Sequence, residues 1–135
     1  MPSPFDEFLQ AKTFAVAGAS RDPEKYGYQV FRALLASGRL VFPLNPYAST
    51  IDGQPAFAQL ADLPSPPESL SLVTPPTVTR QVVEEAIQAG VKHLWMQPGA
   101  EDEQAGRRAR QAGLLVIDDG SCILVALARE RARTT

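Results

Sequence analysis

The sequence is poor in the residues that most often carry chemistry. It has one cysteine, Cys122, one histidine, His93, and one asparagine, Asn45. A lone cysteine excludes an intramolecular disulfide and suits a reducing compartment. No cluster of histidine and cysteine at ligand spacing is present, so a metal site is not expected. Excess positive charge is also missing: the formal net charge is −2, which supplies none of the many Lys/Arg contacts on which nucleic-acid binding rests. Any anion site must be local. No apolar run approaches the roughly 18 residues of a membrane span, and the opening MPSPFDEFLQAK lacks a basic head followed by an apolar block. The expectation is a cytoplasmic protein with neither membrane nor nucleic-acid partner. Internal repeats and low-complexity tracts are absent as well.

What is present is an ordinary globular composition, 44% hydrophobic and 21% charged over 135 residues, enough for one domain spanning residues 1–135 with a real core. Apolar runs of strand length recur at 13–17 (TFAVA), 40–44 (LVFPL), 70–74 (LSLVT), 92–96 (KHLWM) and 114–118 (LLVID). Near-continuous apolar strands are what a parallel sheet covered on both faces requires. Helical patterns lie between them. One places Val30, Ala33 and Leu34 on a single face and ends at Gly38; a second has Thr77 as its N-cap and Val78, Val82, Val83 and Ile87 as its buried stripe, ending at Gly90. A third, 101–113, has acids in its first turn and arginines toward its last, and reads as a solvated surface helix. Residues 45–69 predict a loop with a short edge strand near 54–57 and one helical turn. The segment after Ser121 fits a last strand or a helix. The order implies an α/β, Rossmann-like, doubly wound and mostly parallel sheet in a single domain.

Ligands of such sheets bind beyond the carboxyl ends of the strands. The residues there are Gly18–Ser20, Asn45–Tyr47, Pro75–Thr77, Gln97–Gly99 and Asp119–Ser121. Small residues and neutral hydrogen-bonding groups dominate. Gly18 and Ala19 permit close backbone approach, Ser20 offers a hydroxyl, and the following helix supplies N-terminal amides for a phosphate. Arg21 and Lys25 add cations in the loop, and Tyr26 or Tyr28 lines the crevice at the helix start. An ordinary nicotinamide cofactor does not fit. After Gly18 the next glycine is Gly27, so the GxGxxG spacing fails, and the second strand ends in LNPY without an acid for the ribose diol. The missing acid also removes a repulsion, so a phosphorylated ribose is better tolerated.

The combination of VAGASRDPEKYGYQVFRALLASG, VFPLNP, DGQPAFAQLADLP and VTPPTVTRQVVEEAIQAGVKHLWMQPGA resembles the small, free-standing coenzyme A-binding proteins, relatives of the CoA-binding N-terminal domain of the succinyl-CoA synthetase alpha subunit. The resemblance extends from about residue 8 to about 125. It implies a Rossmann-like fold and coenzyme A or an acyl-CoA as the ligand. It also assigns Gly18, Ala19 and Ser20 to the phosphate-contacting turn and Asn45, Pro46 and Tyr47 to the loop after the second strand. Thr74, Pro75 and Pro76 then form a proline-rich contact strip, and Met96 and Gln97 the fourth strand end. Where such proteins carry a lysine after Asn-Pro, this chain has Tyr47 and Ala48, so the charge falls to Arg21 and Lys25.

His93 and Trp95 alternate with Leu94 and Met96 along a strand and read as packing residues. Asp118 and Asp119 read as strand-end caps, and Cys122 as a buried, inert thiol. No catalytic constellation accompanies them, and the phosphorylated histidine that the synthetase subunit carries in a second domain has no counterpart. The resemblance therefore implies a non-catalytic binding module, or alternatively an accessory subunit or fragment of an acyl-CoA ligase or transferase acting with a partner chain.

Overall fold

The structure, a computed structural model, describes residues 3–134. Five strands, β1 (Thr13–Ala17), β2 (Leu40–Leu44), β5 (Ser69–Leu72), β6 (His93–Met96) and β7 (Leu115–Ile117), form one parallel sheet in the order β2-β1-β5-β6-β7. Between β2 and β5 the chain makes a small antiparallel hairpin, β3 (Thr50–Ile51) and β4 (Gln54–Pro55). Helices α1 (Pro4–Leu9), α2 (Tyr26–Ala36) and α5 (Ile123–Thr134) cover one face, while α3 (Pro76–Ala89) and α4 (Glu103–Gln111) cover the other. Within the main sheet the chain runs outward from β1 to β2 and then crosses back to the far side of β1. The β1–β5 boundary is thus the point where winding reverses, and a crevice opens there.

Alternation along each strand builds two cores. Phe14 and Val16 pack with Phe8, Val30, Phe31 and Leu34 on one face, and Ala15 and Ala17 with Leu72, Val83 and Met96 on the other. Trp95 enters the first core, where its ring meets Phe8 edge-on at 5.2 Å between centroids. Ser69 and Ser71 of β5 are fully buried but satisfied: the Ser69 hydroxyl donates to the Phe8 carbonyl at 2.8 Å and Ser71 Oγ accepts from the Gln97 amide at 3.1 Å.

The described boundaries depart from the sequence reading in several places. Residues 123–134 form helix α5, resolving the segment after Ser121. Helix α3 begins with Pro76 after an N-cap at Pro75 that lends no side chain, so Thr77 lies in the first turn and is not the cap. Proline's fixed φ suits that first position. Val78 is outside the buried stripe, which runs through Thr79, Val83 and Ala86. The third long strand stops at Leu72, because Thr74 turns aside to hydrogen-bond Thr79 between hydroxyls at 2.6 Å. Helix α1 has no sequence-based counterpart. It is set by a reciprocal cap: Asp6 N–H donates to Ser3 Oγ at 3.2 Å and Ser3 N–H to Asp6 Oδ2 at 3.3 Å.

Two glycines close the end of β1. Gly18 has φ of +83°, and a Cβ there would fall 2.0 Å from the Val73 carbonyl oxygen; a Cβ on Gly27 would fall 1.9 Å from the Gly18 carbonyl oxygen. Gly27→Ala is therefore expected to cost more than about 2 kcal/mol through overpacking against backbone. Gly38→Ala, at φ +88° but in open space, should lose only about 1 kcal/mol of backbone strain. Urea unfolding of the two variants checks the ranking.

His93 is a packing residue at the amino end of β6. Ser69 spends its proton on Phe8, so His93 donates Nδ1–H to Ser69 Oγ at 2.9 Å. Burial lowers its pKa below the ordinary 6.5, against the pull of Glu7 and Glu68. The unfolded chain takes up this proton first, so the neutral ring's stabilisation is complete above pH 6.5 and is lost as pH falls through and below that value. The melting temperature should drop across that window, and His93→Gln should flatten the drop; an unchanged slope would remove His93 as its source.

Candidate phosphate turn and strand-end cleft

The segment after β1 is a glycine turn that opens onto a helix N-terminus. Gly18 is exposed in a left-handed conformation, and the backbone N–H groups of Ala19, Ser20 and Arg21 donate to no acceptor among the described residues. Successive amides without protein acceptors at a turn form a concavity of the kind that can take an anion. The loop that follows organises itself. Ser20 Oγ accepts from Asp22 N–H at 3.0 Å, Asp22 Oδ1 from Glu24 N–H at 3.0 Å, and the Asp22 carbonyl from Lys25 N–H at 3.0 Å. These turns deliver the chain into α2, whose N-cap, Lys25, makes no side-chain cap. The N–H groups of Tyr26 and Gly27 have no acceptor among the described residues, and the positive end of the helix dipole lies behind them.

Gly27 explains the missing glycine spacing. Its lack of a side chain lets the first turn of α2 lie against the Gly18 carbonyl, the close helix-to-strand packing that the last glycine of GxGxxG otherwise provides. The role survives at a longer spacing. Arg21 and Lys25 are exposed, and neither side chain has a partner among the described residues. Six other arginines are committed: Arg32 to Asp52, Arg39 to Glu130, Arg80 to Asp102, Arg107 to Glu103, Arg108 to Glu84 and Arg110 to Asp118.

Beside the turn, a cleft of about 400 Å³ opens between the carboxyl ends of β1, β2 and β5. Gly18, Pro46, Val73, Thr74 and Pro75 line its inner end; Val78, Gln81 and Glu85, successive turns of α3, line one wall, and Ala58 to Leu60 the other. Four of the sequence-identified residues, Gly18, Pro46, Thr74 and Pro75, thus meet in one place. Val78 was assigned to the core by its spacing, yet it is 38% exposed and belongs to the cleft. Pro76 is exposed at the start of α3, and Tyr47, 91% exposed, stands on the loop after β2.

Other sequence-identified residues hold the site from beneath. Asn45 uses its whole side chain: Nδ2 donates to the Ala19 carbonyl at 2.9 Å, and Oδ1 accepts from Tyr47 and Ala48 N–H at 2.7 and 3.1 Å. It ties the loop after β2 to the phosphate turn. Met96 and Gln97 are fully buried. Gln97 Oε1 accepts from the Tyr26 hydroxyl at 3.1 Å and from Ile123 N–H at 2.9 Å, while Nε2 donates to Ser71. The Tyr26 hydroxyl also lies 2.7 Å from Cys122 Sγ. Burial, reinforced by the Cys122 hydrogen bond, pushes the Tyr26 phenol above its ordinary pKa, so it remains protonated. Cys122 is half-buried and bonded to this network rather than buried and isolated. Asp118 forms a two-point pair with Arg110 and Asp119 caps Ser121 N–H. No metal-holding group of three or more His, Cys, Asp or Glu occurs among the described residues, and no helix of theirs is long and apolar enough to cross a membrane.

Known proteins share this architecture. Residues 12–128 match the family described as CoA binding domain. A conserved hypothetical protein from Pyrococcus furiosus is 39% identical, with a TM-score of 0.80 over 85% of this chain and 98% of that one. A hypothetical protein from Pyrococcus horikoshii gives a TM-score of 0.86 at 30% identity, over 98% of this chain and 92% of its own. The alpha subunit of ADP-forming acetate–CoA ligase II from Pyrococcus furiosus is 33% identical over 88 residues, which are 64% of this chain but only 19% of that subunit. The match thus spans about a fifth of that relative's length, and on the extent of the family match this chain belongs to the CoA-binding domain family, related to acyl-CoA ligase subunits.

Proposed function

We propose that this protein binds coenzyme A or an acyl-CoA as a non-catalytic module. The observation that carries the proposal is the run of unpaired amides at Ala19, Ser20 and Arg21 in front of an uncapped helix. The pyrophosphate is held there. The adenosine lies in the adjoining cleft between Pro46 and Val78, whose volume and mixed lining suit a purine. No acid at the end of β2 opposes a phosphate on the ribose; Asn45 and Pro46 stand there. The pantetheine arm crosses the sheet ends toward β6, whose end is supported from within by the fully buried Met96 and Gln97.

The relation to a ligase alpha subunit supports a second reading, an accessory subunit acting with a partner chain. His93 does not supply a phosphorylated group for it, since it begins β6 at the opposite end of the parallel sheet from the cleft.

Calorimetric titration with coenzyme A, dephospho-coenzyme A, NAD and ATP tests the proposal. Coenzyme A should bind most tightly; a preference for NAD, or no binding of any of the four, overturns it. Changing Arg21 and Lys25 to alanine should each weaken coenzyme A by roughly ten-fold at low salt, the loss of one charge-assisted hydrogen bond. A smaller loss with dephospho-coenzyme A places that cation at the 3′-phosphate, an equal loss at the pyrophosphate. Unchanged affinity in the double variant assigns phosphate binding to the amides alone.

A further inference from the structure

A second pocket, of about 330 Å³, lies at the same end of the sheet on the opposite face, between α1 and α5. Gly120 to Cys122, which follow β7, form its inner rim, so it opens at the carboxyl ends of the strands as the phosphate turn does. Phe5 and Trp95 form an aromatic wall, their rings 5.3 Å apart between centroids, and Val125, 50% exposed, stands at the mouth. The volume is at the lower end for ligand sites. It suits a short organic tail and is too small for a whole nucleotide cofactor.

Charge narrows the choice of tail. Arg129 is the one charged residue lining this pocket, and it has no ion-pair partner among the described residues. Its neighbour Glu130 is taken by Arg39, at 2.6 and 2.8 Å. A guanidinium left free beside apolar walls complements a carboxylate carried on a short aliphatic chain.

The pocket is also joined to the phosphate turn by a single side chain. Tyr26 begins α2 beside Gly18, and its hydroxyl reaches Cys122 Sγ on the pocket rim at 2.7 Å. A flexible arm anchored by its phosphates at the turn has to run outside the Tyr26–Cys122 contact to end here.

Resting on the CoA reading above, we infer that the α1–α5 pocket receives the acyl end of the thioester and that Arg129 selects acyl groups with a terminal carboxylate. Butyryl-CoA and succinyl-CoA separate the claims, because their acyl chains have the same length and differ in methyl against carboxylate at the end. In calorimetric titrations at low salt, succinyl-CoA should bind roughly ten-fold more tightly than butyryl-CoA. Arg129→Gln should abolish that difference while leaving free coenzyme A unchanged. Val125→Trp, which fills the mouth from an exposed position, should weaken both acyl-CoAs and again spare coenzyme A. Equal affinities of the two thioesters for the unaltered protein overturn the carboxylate assignment, and acyl-CoAs indifferent to Val125→Trp overturn the pocket. If coenzyme A binds and the thioester differences fail, this inference alone falls. If coenzyme A does not bind at all, the CoA reading falls with it.

Discussion

The carboxyl end of β1 is closed by two backbone approaches that leave no room for a methyl group. Gly18 lies against the Val73 carbonyl, and Gly27 against the Gly18 carbonyl. Together they fix the separation of β1, β5 and α2, and with it the placement of every group proposed to meet the ligand. The left-handed Gly18 turns the chain out of the sheet, so the next three amides run without ladder partners. Gly27 brings the helix close enough for its own first amides to join them. The cost is loss of side-chain packing at both positions, offset by the cores on either face of the sheet.

Gln97 serves the same geometry from below. Its buried amide bonds Tyr26 of α2, Ser71 of β5 and the first amide of α5. Two helices and a neighbouring strand are thus referred to one side chain on the end of β6. Asn45 does the equivalent for the loop after β2, and the hairpin beyond it is held at Asp52, which accepts from the Tyr28 hydroxyl at 2.6 Å and forms an ion pair with Arg32 at 3.3 Å. A surface built of backbone, as the proposed phosphate site is, needs such support, because its groups have no rotamers of their own with which to adapt. Charge is then supplied sparingly by two unpaired cations on the loop.

The doubly wound sheet was legible because its period was clean. TFAVA and LVFPL match β1 and β2 residue for residue, and left-handed glycines follow α2 and α3 near where the pattern placed their ends. The ambiguity over α5 was physical, since ILVALA is apolar enough for a strand and only packing against α2 decides it. Helix α1 leaves little periodic signal in the sequence because it is shorter than two turns and depends on the Ser3–Asp6 cap. Within the site, Gly18, Pro46, Thr74 and Pro75 could be read from their places after strands. Gln81 and Glu85 could not, since helical spacing alone does not say that the wall of a cleft faces them. Val78 was misassigned for the same reason, an apolar side chain at helical spacing that borders a cavity rather than the core. In the sequence Gly27 shows only as a departure from the GxGxxG spacing, because the contact that gives it meaning is with a carbonyl nine residues earlier.

The central claim is that phosphate binds the amides between β1 and α2. Proton–nitrogen correlation spectra recorded while coenzyme A is added address it residue by residue. The account predicts that the largest shifts fall on the amides of Ala19, Ser20, Arg21, Tyr26 and Gly27, with smaller changes along Val78 to Glu85. Saturable binding that leaves those five amides unmoved would contradict it.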